Sequence, residues 1–174
     1  MRNSGKFTNL NTIKALYTTL VRTKLEYASL IWYPCYNNHI NSVERVQRRF
    51  LKYVAYKIDG IYPIRGSDPL VLTRRFELPM LASRRFICSQ IFLFKLINNL
   101  VDSPALLSQL NFFVPRVNSR QTITFRTKLA KTNLLKKSPI HTISLNFNRI
   151  SSDCDLFSCS LGSLLAACQL FLDL

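Results

Sequence analysis

The sequence predicts an all-α protein: a helical bundle of three main helices plus short helices, followed by an irregular basic arm. Three observations predict it. Glycine is scarce, with four residues in 174, and the chain is rich in Leu, Ile, Phe, Arg and Lys, which favours helices over a sandwich or barrel. Apolar residues recur at helical spacing along the first half. Acidic residues then vanish, with none between Asp102 and Asp153. A 48% hydrophobic content suffices for one core of ordinary size.

The first helix is expected over residues 12–32. Ile13, Leu16, Tyr17, Leu20, Tyr27, Leu30 and Ile31 make its apolar face. Lys14, Thr18 and Arg22 lie four apart on another face, Glu26 can pair with Arg22, and Pro34 stops the helix. Asn41 and Glu44 read as the N-cap and N3 residues of a capping box. They open a second helix that runs to about residue 57, with Val43, Val46, Phe50, Tyr53 and Val54 buried. Its opposite face carries Arg45, Arg48, Arg49 and Lys52.

Asp59-Gly60 and Tyr62-Pro63 mark a turn. A short helix over residues 68–76 has Ser67 or Asp68 as its cap and Pro69 in its first position. A long third helix over residues 79–99 is apolar on almost every side from Phe86 to Ile97, which suits the middle of a bundle. Asp102-Ser103-Pro104 opens a short helix over residues 105–110. Beyond it, Arg116, Arg120, Arg126, Lys128, Lys131, Lys136, Lys137 and Arg149 populate the acid-free stretch. Residues 122–125 alternate weakly like a strand, Ser138-Pro139 breaks whatever precedes it, and the apolar tail from Ser160 closes as a short helix. The expected division is a helical domain over residues 1–110 and an irregular basic segment over residues 111–174.

The charge is one-sided: 24 Lys and Arg against nine Asp and Glu, a formal +15. Such a chain repels itself unless something anionic neutralises it. Nucleic acid is the first candidate, an anionic membrane surface the second. Arg45, Arg48, Arg49 and Lys52 stand at i, i+3, i+4 and i+7, a spacing that can follow a phosphate backbone without reading bases. The plainer alternative is a solvated helix surface. Arg84 and Arg85 open the third helix, where cations oppose the helix dipole, so each needs an anionic partner: a phosphate, or Glu77 or Glu44. Trp32, Phe50 and Tyr53 share faces with aliphatic residues and read as core rather than as base-stacking platforms.

Catalysis finds little support. Two-metal nucleotidyl transfer needs clustered carboxylates, and the one close pair, Asp153 and Asp155, reads as a solvated loop. Cys35, Cys88, Cys154, Cys159 and Cys168 are odd in number and scattered, with no CxxC pair. That fits reduced thiols in an intracellular compartment, nucleus or cytoplasm, each packed as a small hydrophobe. Cys154, Cys159, Cys168 and His141 lack the ligand spacing of a zinc site. No catalytic residue, metal site or cofactor is therefore expected. No apolar leader opens the chain, and its longest apolar stretches fall short of the roughly 20 residues of a membrane span.

One stretch is more specific. Residues 16–34 read LYTTLVRTKLEYASLIWYP. This resembles the block that follows the palm of non-LTR (LINE-type, jockey-like) retrotransposon reverse transcriptases, approximately LYxSLVRxxLEYASxxWxP. Further blocks agree in order. Val43-Glu44-Arg45-Val46-Gln47-Arg48-Arg49-Phe50 is similar to "IExVQRRF", and Tyr62-Pro63-Ile64-Arg65 to "YxxR". Residues 78–85, ending in Arg84-Arg85, are similar to "LxSLExRR", and residues 94–98 to "YKILNG". Arg120, Asn146 and Asp155-Leu156-Phe157 resemble later elements. Ser89 and Leu100 depart from the family's usual Asp and Gly.

The resemblance implies a thumb-like helical region, which helps to hold a primer–template duplex beside the polymerase site, and the segment after it. It implies nucleic acid, an RNA–DNA or DNA duplex, as partner, and a palm-bearing polymerase chain as a second. The catalytic aspartates belong to the palm, so the chain itself is expected to be no enzyme. Two other readings stand beside this one: an inert truncated transposon remnant whose first helix exposes an apolar face, and a peripheral membrane-surface protein.

Overall fold

The computed structural model describes residues 9–32, 34, 36–64, 66, 68–114, 123–127, 129 and 131–173. Cys35, Arg65, Ser67, Arg116, Arg120, Thr122 and Lys128 lie outside the described residues. The described chain is mainly α-helical, as its composition predicts. It divides into two compact units, Met1–Arg85 and Phe86–Leu174. The boundary between them falls within the helix expected over residues 79–99.

In the first unit Asn9 opens the chain's first helix by accepting the Asn11 N–H at 2.9 Å. The expected single helix over residues 12–32 is broken. Helix α1 (Leu10–Leu16) passes into a π-helical stretch, Tyr17–Arg22, and then α2 (Thr23–Glu26). The wide turns have a local cause. The Ala15 carbonyl accepts the hydroxyls of Thr18 and Thr19 at 3.0 and 2.8 Å, and the Thr19 carbonyl accepts that of Thr23 at 2.6 Å. Side-chain donors thus compete with the i to i+4 ladder. The helix then stops at Tyr27, whose φ and ψ are −56° and 126°, and at Ala28, with φ at +50°. These values fit the centre of a type II turn. The Tyr27 carbonyl accepts Trp32 Nε1–H at 2.5 Å, across the short α3 (Ser29–Trp32).

Helix α4 (Asn37–Asp59) starts at Tyr36 and ends on Gly60, whose φ of +70° allows its N–H to reach the Tyr56 carbonyl at 2.9 Å. The capping-box reading of Asn41 and Glu44 is therefore overturned, because both lie inside the helix. The buried face is also displaced from the expected one: Glu44, Gln47, Phe50, Leu51, Val54 and Ala55 are buried, whereas Val46 is 39% exposed. Two polar residues occupy the inner face because they have polar work there, as described below. Asp68 caps α5 (Pro69–Arg75) by accepting the Leu70 N–H at 2.9 Å. The core of this unit joins Ile13 and Tyr17 to Phe50, Leu51, Val54, Leu72, Phe76 and Leu78. The Tyr17 and Phe50 rings stack, with centroids 4.0 Å apart.

Helix α6 (Leu81–Ile97) contains the boundary between the units. It closes with Asn99 at φ +55° and the Leu100 N–H on the Lys95 carbonyl at 2.8 Å. In the second unit follow α7 (Pro104–Leu107), α8 (Asn133–Lys136), α9 (Pro139–Asn148) and α10 (Leu161–Asp173). Within the segment expected to be irregular, α8 and α9 are helices the sequence reading did not anticipate, and α10 is the short helix expected of the apolar tail. Pro139, read as a breaker, sits in the first turn of α9, where its missing N–H costs nothing. Ile143, Ser144 and Phe147 form the buried side of α9. The weak strand signal leaves one antiparallel bridge, Phe112 with Phe125. The Asn148 amide brackets Phe125, accepting its N–H at 2.9 Å and donating to its carbonyl at 2.8 Å. The apolar tail buries Leu164, Ala167 and Cys168. Among the described residues no helix is long and apolar enough to cross a membrane.

Candidate nucleic-acid interface

Helix α4 presents two polar faces with different fates. On its inner side Glu44 is 3% exposed. Its carboxylate accepts the N–H groups of Leu81 and Ala82 at 3.4 and 2.7 Å, so it caps α6 from a neighbouring helix. A negative charge suits the positive end of the α6 dipole. Arg85, one turn further along α6 and 2% exposed, donates to the same carboxylate at 3.4 Å. One turn along α4, Gln47 accepts the Tyr17 hydroxyl at 3.2 Å and donates to the carbonyls of Leu78 and Pro79 at 3.3 and 2.9 Å. Burial pushes the Tyr17 hydroxyl up to about 12. Arg84 forms a two-pronged ion pair with Glu26, through Nε and a terminal nitrogen.

The anionic partners required by Arg84 and Arg85 are therefore carboxylates of the fold. Glu44 is one of the two named as alternatives to phosphate; Glu26, expected to pair with Arg22, is the other partner. Arg85 is inaccessible to a ligand. The capping pattern could not have revealed this, since both bonds cross about 40 residues or more of chain.

On the outer side the four expected cations stay together. Arg45 and Arg49 are exposed, while Arg48 and Lys52 are half-buried. None of the four makes an ion pair among the described residues. The pairs there are Arg75 with Asp59, Arg84 with Glu26, and Arg85 with Glu44. The Arg75–Asp59 pair lies on the surface, and its hydrogen bonds hold the Asp59 carboxyl below its ordinary range. Arg48 and Lys52 line an open cleft of about 300 Å³ between α4 and the start of α5, with Leu51, Pro69 and Leu72 as its apolar walls. The Nε atom of Arg48 is shielded from solvent and has no hydrogen-bond partner.

The second unit offers less. Arg126, Lys131, Lys136 and Arg149 are exposed and Lys137 is half-buried. An open cleft of about 330 Å³ is lined by Arg126, His141 and several serines. Cys154 and Cys168 are buried, and burial raises their thiols to about 12 and 11, so neither is a ready nucleophile or metal ligand at neutral pH. Cys88, expected to be buried, is exposed. No cluster of three or more His, Cys, Asp or Glu able to hold a metal ion occurs among the described residues.

The chain matches no protein-family model, and it has no significant match among curated proteins or solved structures.

Proposed function

We propose that this chain is a non-catalytic module of reverse-transcriptase origin that grips a nucleic-acid duplex by its phosphate backbone. The observation that carries this reading is the outer face of α4, where Arg45, Arg48, Arg49 and Lys52 stand together without a carboxylate partner among the described residues, in a chain of net charge +15. A helix rises about 1.5 Å per residue, so the face spans about 10 Å, the axial reach of about four successive phosphates on one strand. Contacts of this kind are blind to sequence.

The resemblance to the post-palm region of non-LTR reverse transcriptases gains support from the inner network. Glu26, Glu44, Gln47, Arg84 and Arg85 come from three separate blocks of the resemblance, and hydrogen bonds tie those blocks together. Residues that look like a binding signature in sequence thereby have a structural reason to occur in that order. In this reading the outer cations of α4 bind, and Arg84 and Arg85 hold the unit together.

The test is binding of the purified chain to a labelled RNA–DNA primer–template duplex over a salt series. Four phosphate contacts predict a log–log salt slope near −3.6, from about −0.9 per contact. Changing Arg45, Arg48, Arg49 and Lys52 together to Ala should flatten most of it. Binding that ignores those changes would sink the proposal.

A second reading, an inert remnant, is favoured by one observation. Leu20 is 60% exposed, and Tyr27 and Ile31 are each 80% exposed. These belong to the apolar face expected of the first helix, and solvent-facing apolar groups promote self-association. A remnant would aggregate under conditions where the working module stays monodisperse and binds duplex.

A further inference from the structure

The four cations of α4 are not equivalent. We infer that the cleft beside Arg48 is a seat for a single phosphate group, and that Arg45 and Arg49 supply only diffuse attraction. The inference rests on the duplex-binding reading and assigns the contact that fixes a strand's position. Arg48 and Lys52 line the cleft from α4, Leu51 and Leu72 form its apolar walls, and Gly66 borders it with a φ of +92°. Its volume, about 300 Å³, lies at the small end of ligand pockets, which run from about 300 to 1,000 Å³.

Two features select phosphate. The Arg48 Nε–H is shielded from solvent and has no acceptor within the fold, so it gains one only when the side chain turns toward the cleft that it lines. A guanidinium uses Nε–H and a terminal N–H as a planar fork, which matches two oxygens of a phosphate. Lys52, one helical turn on, adds a second positive charge without fixed geometry. Arg45 and Arg49 stand in solvent.

Charge-conserving substitutions separate seat from diffuse face. Arg48→Lys keeps the charge and removes the fork. It should weaken duplex binding about tenfold, in line with one lost charge-assisted hydrogen bond, while leaving the salt slope unchanged. Arg45→Lys and Arg49→Lys should leave affinity within about twofold. Parallel titrations with 5′-hydroxyl and 5′-phosphate duplexes identify the source. A loss on both marks an internal phosphodiester, and a loss on the phosphorylated duplex alone marks a strand end. Wild-type affinity in Arg48→Lys overturns the seat while the duplex-binding reading stands.

If the unaltered chain binds no duplex, that reading fails, and the seat is read separately. The Nε–H resonance of Arg48, assigned by its disappearance in Arg48→Lys, should then shift on titration with inorganic phosphate at millimolar concentration. An unmoved resonance overturns the seat. The titration itself is made on the unaltered chain, and the variant serves only to assign the resonance.

Discussion

Glu44 on α4 accepts the backbone N–H of Ala82 at 2.7 Å and so closes the start of α6 from outside that helix. The same carboxylate faces Arg85. Both partners are almost fully buried, so removing one leaves the other's charge in a medium that cannot solvate it. Glu44→Gln is expected to lower the unfolding free energy by about 3 kcal/mol. Arg85→Met added to it should restore part of that loss. Urea unfolding of the two single variants and the double variant measures the coupling, and additive losses would contradict it.

Tyr17 carries a pH signature. Its folded-state hydroxyl is raised from 10.0 to about 12 by burial, so the folded chain keeps a proton that the unfolded chain releases. The contribution is complete below pH 10 and is lost as pH rises from there through about 12. Unfolding midpoints followed from neutral pH into that window should fall more steeply for the unaltered chain than for Tyr17→Phe. The variant should also lose about 1 kcal/mol at neutral pH with its bond to Gln47. Parallel curves would contradict the assignment.

Ala28 holds a positive φ of 50° with a Cβ that opposes it. The left-handed region costs an L-residue about 1–2 kcal/mol, and glycine returns roughly half of that gain through the freer unfolded chain. Ala28→Gly is expected to stabilise the protein by about 0.5 kcal/mol, read as a rise in melting temperature. A fall would show that residues 27–29 are not a turn in solution.

The thiols should separate by rate. Cys88 is exposed, whereas Cys154 and Cys168 are buried with raised thiols. An aromatic disulfide reagent at neutral pH should modify Cys88 promptly, and Cys154 and Cys168 only after denaturant is added. Mass mapping of the labelled peptides distinguishes them. Prompt labelling of Cys168 would contradict its burial.

Helices were legible wherever local rules govern. Asp68 and Pro69 start α5, Asp59-Gly60 ends α4, and the apolar run from Phe86 to Ile97 lies in α6. The cationic face of α4 was legible for the same reason, because helical spacing alone puts Arg45, Arg48, Arg49 and Lys52 on one side. Long-range partners were not. Glu44 three residues after Asn41 satisfies a local capping pattern, yet its oxygens serve a helix that starts at Leu81. Gln47 had no place on the expected buried face, because the carbonyls of Leu78 and Pro79 that draw it inward lie more than 30 residues away. The break at Ala28 carries no glycine or proline to announce it. In the second unit the abundance of Lys and Arg obscured the i, i+3, i+4, i+7 pattern of Ile140, Ile143, Ser144 and Phe147, which belongs to α9.

Asn148 has a consequence for solubility. A residue in an isolated bridge normally keeps one N–H and one C=O facing away from its partner, which invites a strand from another molecule. At Phe125 both groups are taken by one amide side chain. The shortest possible sheet is thus sealed on the Phe125 side by a plug that belongs to the same chain, and residue 125 has nothing left with which to recruit a neighbour.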